Sequence, residues 1–287
     1  MDVFGMLKGM SYKYIFFLIA AAGLFKFVLG LNFKILVSFF DIRLPFREWL
    51  GLTCIAAMTN YLLPAKAGMA AQAVYLKKNF GFRYTNFLSS VTGFYAVTFL
   101  VNAVIGTLLS IKLLNDHMSS GEFVFMFFLF ISFVTAFLIF AIFHFPKLSS
   151  RVGIFRDFFE GFRYFHNKPQ KISGLIISQV VVVLAIGLRL WVAFRALGID
   201  ISLTSSIIVA LITSFAIFIN LTPGGLGVKE FLLTFSASIL GVSPPEAVMV
   251  AMLDRVIDVL VSFTLGYSFA LYLHIGNVYP KNEEVRI

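Results

Sequence analysis

Asn220-Leu221-Thr222-Pro223-Gly224-Gly225-Leu226-Gly227-Val228-Lys229-Glu230 interrupts the sequence where an unbroken apolar helix would otherwise be expected. Pro223 lacks a backbone N–H and stops a helix. The pieces on either side, about 204–221 and 224–240, are both apolar. In lipid, such a break is tolerated only where it is buried in protein or faces a water-filled cavity. A second break of this kind occurs at Asn60-Tyr61-Leu62-Leu63-Pro64, between about 49–63 and 64–78. Both breaks admit three readings: an ordinary kink, a tight turn between two complete spans, or a hairpin of two shorter helices dipping into the membrane. The remaining prolines, Pro45, Pro146, Pro169, Pro244, Pro245 and Pro280, fall in loops or at span ends.

The rest of the chain says what surrounds these breaks. Of its 287 residues, 60% are hydrophobic and 13% charged, and Phe alone supplies 36. Soluble domains are about 45–50% apolar and about 25% charged. No water-soluble fold of this size hides so much apolar side chain, which excludes a soluble enzyme, a disordered chain and a nucleic-acid-binding domain. Further apolar stretches of membrane-crossing length run about 14–31, 86–111, 123–145, 172–196 and 246–274, the first continuing as far as Phe40 on a generous reading. The pattern predicts an all-α, polytopic membrane helix bundle in a single domain, 1–287. Ala20-Ala21-Ala22 resembles a signal-peptidase site, but Lys26 follows closely and the preceding apolar region is short, so an uncleaved first span is expected. A single cysteine, Cys54, excludes an internal disulfide, and the four scattered histidines form no zinc motif. No phosphate-binding loop is present, so no nucleotide-driven pumping and no cofactor is expected.

The two breaks belong to segments about 160 residues apart that match at Asn60/Asn220, Pro64/Pro223, Gly68/Gly227, Gly81/Gly241 and Gly106/Gly266. An internal duplication follows, with one repeat about 41–111 and the other about 200–271. The loop at 146–171 carries Lys147, Arg151, Arg156, Arg163, Lys168 and Lys171 and is expected on the cytoplasmic side. If both broken segments are hairpins, three single crossings separate them and the two halves are inverted. The C-terminus then lies in the cytoplasm, and the net charge of +9 faces the anionic inner leaflet of the cytoplasmic membrane. Inverted repeats with broken helices near the midplane are a transporter architecture.

Charges within spans mark functional sites by default. Pro223-Gly224-Gly225-Leu226-Gly227 opens a helix whose free N–H groups favour an anion, with Lys229 adding charge; alternatively Lys229 and Glu230 neutralise each other in a tight turn. Asp254 and Asp258 lie one turn apart on one helix face, and Arg255 can pair with Asp258 three residues on. That trio reads either as an arginine held ready to fork onto phosphate or as a self-neutralised clasp. Arg189 stands at membrane depth or snorkels to the surface, Lys66 follows Pro64 by two residues, and Lys26 is expected to snorkel.

Pro223-Gly224-Gly225-Leu226-Gly227-Val228-Lys229-Glu230, with Asp254-Arg255-x-x-Asp258 downstream, resembles the transmembrane region of lysylphosphatidylglycerol synthases, a flippase-like integral membrane family. Leu63-Pro64-Ala65-Lys66-Ala67-Gly68 is similar to the family's first-half L-P-G-R-A-G motif, with Ala for Gly and Lys for Arg. The resemblance covers roughly 30–272 and implies translocation of phospholipids or other lipid-linked anions between leaflets. The first half departs from the family in lacking its charged residues: Met69 to Gln72 and Phe94-Tyr95-Ala96-Val97-Thr98 stand in their places. Only Gly276–Ile287 follow the last span, so aminoacyl transfer is not expected of this chain.

The expected substrate contacts are therefore Pro64, Lys66, Gly68, Arg189, Pro223, Gly224, Gly225, Gly227, Lys229, Glu230, Asp254, Arg255 and Asp258, with no catalytic or metal-binding residue. Membrane lipids with an anionic headgroup are the expected partners, nucleic acid is not, and a homo-oligomer or a separate lipid-modifying enzyme are further partners to consider. Two other functions remain open: a membrane enzyme or accessory protein acting on lipid-linked substrates through Asp254 and Asp258, or a proton-coupled small-solute transporter using Glu230. Single introduced cysteines should react with an impermeant thiol reagent from the inside at 146–171 and the C-terminus, and from the outside at 112–122 and 197–203. Finding 77–83 and 241–246 on one side of the membrane would contradict the inverted repeat.

Overall fold

A computed structural model describes residues 11–115, 121–144, 168–218 and 222–278. The basic loop at 146–167 and Asn220 lie outside these residues. The described chain forms α1 (Tyr12–Ser38), α2 (Phe46–Leu62), α3 (Ala67–Phe80), α4 (Tyr84–Asn115), α5 (Gly121–His144), α6 (Pro169–Ala196), α7 (Leu203–Ser214), α8 (Val228–Ile239) and α9 (Pro244–Val278). Among the described residues there is no strand, and the protein is a helical membrane bundle.

Helix lengths separate two kinds of element. With 27, 32 and 28 residues, α1, α4 and α6 are long and apolar enough to cross a membrane. At 35 residues α9 is longer still, about 52 Å at 1.5 Å per residue. In contrast, α2, α3, α7 and α8 have 17, 14, 12 and 12 residues. They reach about 18–26 Å, short of a hydrocarbon core of about 30 Å. These four are the halves of the two broken segments. The chain leaves α-helical geometry at Leu63–Lys66, and in the second segment it forms 3-10 turns at Phe215–Phe218 and Pro223–Gly225 before α8 begins at Val228. Neither proline starts a full helix: α3 begins three residues past Pro64, and Pro223 opens only a short 3-10 turn, Pro223–Gly225.

Each break is built by left-handed backbone. Gly224, Gly225 and Gly227 have φ of 61°, 66° and 87°, which glycine adopts without steric cost. In the first turn the same region is occupied by Ala65 and Lys66, at φ 55° and 56°. Ala65 stands where the resembled motif has glycine, so the turn survives that replacement at a cost of about 1–2 kcal/mol.

The short helices pack in pairs, α2 on α3 and α7 on α8. Against these pairs lie the long helices: α9 runs along α2, α8 and α6, and α1 runs along α6 and α2. The main core joins α6, α7, α8 and α9 through residues such as Leu190, Ile208, Leu211, Leu233, Ala247 and Val250. The outer surface is apolar as well. Phe133 is 71% exposed and Ile177 is 65% exposed, which water would not tolerate over a whole bundle but lipid does. At the end of α1, the Lys168 ammonium donates to the Phe39 carbonyl at 2.8 Å and to Asp41 at 2.7 Å. The hydrogen bond to Lys168 holds the Asp41 carboxyl below the usual carboxylate range.

Close approach of the first pair depends on Gly68. A Cβ there would fall 2.1 Å from the Ala56 carbonyl oxygen, a backbone atom that cannot yield. Gly68 is thereby a packing residue of the first hairpin. Gly68→Ala should destabilise the protein by about 1–3 kcal/mol, the range for overpacking, measured as a lower melting temperature in detergent. Gly23 in α1 has nothing within 4 Å of the same added atom. Gly23→Ala should leave the melting temperature unchanged or raise it.

Candidate functional site

Two charge centres form where α9 passes the second break. The inner centre gathers residues from five helices. Arg189 of α6 lies between two carboxylates of α9, its Nε 2.8 Å from Asp254 Oδ1 and its Nη1 3.1 Å from Asp258 Oδ1. Its Nη2 also donates to Asp254 Oδ2 at 3.1 Å. Lys26 of α1 reaches Asp258 Oδ1 at 3.0 Å, and Lys229 of α8 reaches Asp254 Oδ2 at 2.9 Å. Tyr61 of α2 donates its hydroxyl to Asp258 Oδ2 at 2.5 Å. The spacing of Asp254 and Asp258, one turn apart on one face, is what lets a single guanidinium bridge both.

Three cations thus meet two carboxylates, a formal excess of one positive charge. The groups are deeply buried apart from Lys229, whose side chain is 28% exposed against 1% for Asp254. Lys229 is therefore the cation of this centre most open to a visitor.

The outer centre is neutral. Arg255 pairs with Glu230, and its Nη2 lies 3.4 Å from the Gly224 carbonyl. The Glu230 carboxylate also accepts from the Gly227 N–H at 2.8 Å. Gly225 N–H donates to Thr222 O, and Leu226 N–H to Pro223 O. In the first hairpin, Gly68 N–H donates to Asn60 Oδ1 at 2.8 Å. At each helix start one N–H is thus taken by a side chain of the protein itself.

Several sequence expectations change accordingly. Arg255 does not pair with Asp258: the two carboxylates of α9 are turned toward α6, and Arg255, about 100° round the helix from Asp254, faces α8. Lys229 and Glu230 do not neutralise each other, because each has a partner on α9. Lys26 does not snorkel; it is 4% exposed and ion-paired. Arg189, for which two positions were open, is buried at 2% exposure. Of the remaining expected residues, Pro223, Gly225 and Gly227 shape the second turn, and Pro64 lies in the first. Lys66 stands apart from both centres, with its ammonium 5.0 Å from the centroid of the Tyr95 ring.

A cavity of about 240 Å³ opens on the inner centre, lined by Arg189, Lys229, Asp254 and Asp258 and by apolar walls that include Phe25 and Tyr95. Its walls also carry a polar chain unremarked in the sequence. Thr98 donates to Gln179 at 3.5 Å, Gln179 to Asn102 at 3.1 Å, and Asn102 to Ser214 at 3.0 Å. These residues are uncharged and widely spaced, so no motif announces them. Lys26 did carry a signal, as a lone cation in an apolar span. Tyr61, beside Asn60 at the first break, carried none.

Comparison with known proteins agrees with this architecture. Over 119 residues, 41% of this chain and 35% of the relative, the sequence is 27% identical to a UPF0104 membrane protein of Methanocaldococcus jannaschii. The match spans about a third of that relative's length. The family model described as the lysylphosphatidylglycerol synthase TM region matches residues 2–266. This is a membrane family linked to lipid handling. With nearly the whole chain matched, the protein belongs to the lysylphosphatidylglycerol synthase TM region family.

Proposed function

We propose that the protein carries a phospholipid or other lipid-linked anion between leaflets of the cytoplasmic membrane, and that it performs no chemistry on its substrate. The observation that supports this most is the inner charge centre, with three cations against two carboxylates beside a cavity. A buried charge of one sign is costly unless it is balanced. A singly charged phosphate bound there would balance it, with Lys229 exchanging Asp254 for the phosphate oxygen. At about 240 Å³ the cavity would hold the headgroup and only the first carbons of the acyl chains, against its apolar walls. Transport would run with the C-terminus inside and the two broken segments in inverted halves, about 41–111 and 200–271. Lipid with an anionic headgroup is the partner this reading requires; a separate lipid-modifying enzyme would supply or consume it.

A carboxylate-dependent enzyme fits the geometry less well. It would need Asp254 or Asp258 free to act, and both are engaged by cations.

The test is transfer of an acyl-labelled anionic phospholipid in proteoliposomes, read by quenching of the outer leaflet. Lys229→Gln leaves two cations and two carboxylates, a balanced set that should still fold. Losing one charge-assisted contact is worth about 1.5–3 kcal/mol, so transfer should slow roughly ten- to a hundredfold. Transfer at the wild-type rate in Lys229→Gln would remove the inner centre from the transport path.

A further inference from the structure

Tyr61 is the side chain that joins the first hairpin to both charge centres. It sits in the last turn of α2, beside the first break. Its hydroxyl donates to Asp258 Oδ2 at 2.5 Å, on the carboxylate oxygen opposite the one held by Lys26 and Arg189. The Arg255 guanidinium lies 5.7 Å from the centroid of its ring. The ring also rests on the second break. A Cβ on Gly224 would come within 2.3 Å of Tyr61 Cδ1 and 3.1 Å of Arg255 Nη2. Only glycine at 224 leaves room for the ring, and φ of 61° there asks for glycine independently.

The position of this contact matters because of what lies on each side. Arg189, Lys229, Asp254 and Asp258 line the cavity, whereas among the described residues Tyr61, Gly224, Arg255 and Glu230 do not. Tyr61 seated on Gly224 thus touches both Asp258, which lines the cavity with its excess positive charge, and Arg255 of the neutral pair, which does not. The Arg255 and Glu230 side chains are 14% and 13% exposed.

We propose that Tyr61 is the positioning residue that gates passage between the two centres. This inference rests on the transport reading above. The hydroxyl is a latch: it orients Asp258 toward Lys26 and Arg189 and keeps the ring down. The ring is the plug: while it covers Gly224, an anion held on Lys229 has no path to Arg255. Lifting the ring breaks one hydrogen bond to a charged group and opens Arg255 as the next phosphate contact. The first hairpin, which has no charged residue at Met69 to Gln72 where the resembled family has them, takes part in transport through this neutral side chain.

Tyr61→Phe keeps the plug and removes the latch. Transfer of acyl-labelled phosphatidylglycerol in proteoliposomes should become faster, by about tenfold, the effect of one hydrogen bond to a charged group at the lower end of its range. A residue that merely supported the fold would slow transfer when altered, so unchanged or slower transfer in Tyr61→Phe overturns the gate. A second measurement does not depend on lipid movement. In a Cys54→Ala background, Lys229→Cys places a thiol in the cavity. With Tyr61 intact it should react with an impermeant methanethiosulfonate from one side of the membrane only, and with Tyr61→Ala from both sides. Reaction from both sides with Tyr61 present, or from one side with Tyr61→Ala, overturns the proposal. If labelling becomes two-sided as expected while the wild type moves no lipid, the gate stands and the lipid reading falls.

Discussion

The guanidinium of Arg189 between Asp254 and Asp258 is the interaction on which the rest of the structure depends. It brings α6 against α9, and each carboxylate takes further partners beside it. Asp254 Oδ2 takes Lys229 from α8, and Asp258 Oδ2 takes Tyr61 from α2. The two short-helix pairs are thus fastened to the long helices by the same two carboxylates. Breaking such a buried pair by removing one partner typically costs about 3–5 kcal/mol, because a charge is left uncompensated. Here the loss would extend to five helices at once. The arrangement explains why so many ionisable groups persist in a chain that is otherwise 60% hydrophobic.

Charge balance then separates the two centres. Arg255 with Glu230 is a closed pair, stacked over Tyr61 and touching the Gly224 carbonyl. The inner set is not closed, and its surplus lies beside a cavity rather than beside a further carboxylate. The Gly-rich turn makes this division possible. Gly224 leaves room for the Tyr61 ring, and Lys229 and Glu230, about 100° apart round α8, reach different partners on α9. A bulkier turn would displace Tyr61 and merge the two environments.

Much of this was legible in the sequence. The breaks at Pro64 and Pro223 and the lengths of the flanking apolar pieces forecast short helices where α2, α3, α7 and α8 lie, because proline and glycine act through local backbone geometry. Asp254, Asp258, Arg189 and Lys229, which the structure brings together, stand out in the sequence too, since ionisable groups in apolar spans are rare. Their pairing was not legible. Sequence spacing favours Arg255 with Asp258, but tertiary packing placed Arg189, 69 residues away, against Asp258 instead. Lys26 was set aside as a snorkelling residue because nothing in α1 indicates a carboxylate on a helix more than 200 residues later. Tyr61, Asn102 and Gln179 are neutral, and their role follows only from the neighbours the fold supplies.

The central claim is that the surplus positive charge of the inner centre holds a lipid anion. Native mass spectrometry of the purified protein tests it most directly. The protein would be offered equal amounts of phosphatidylglycerol and phosphatidylcholine with identical acyl chains. The account predicts one retained anionic lipid per chain, with the preference lost in Lys229→Gln, where the centre is balanced. Equal retention of the two lipids by the wild type, or a preference for the anionic lipid that Lys229→Gln leaves intact, would contradict it.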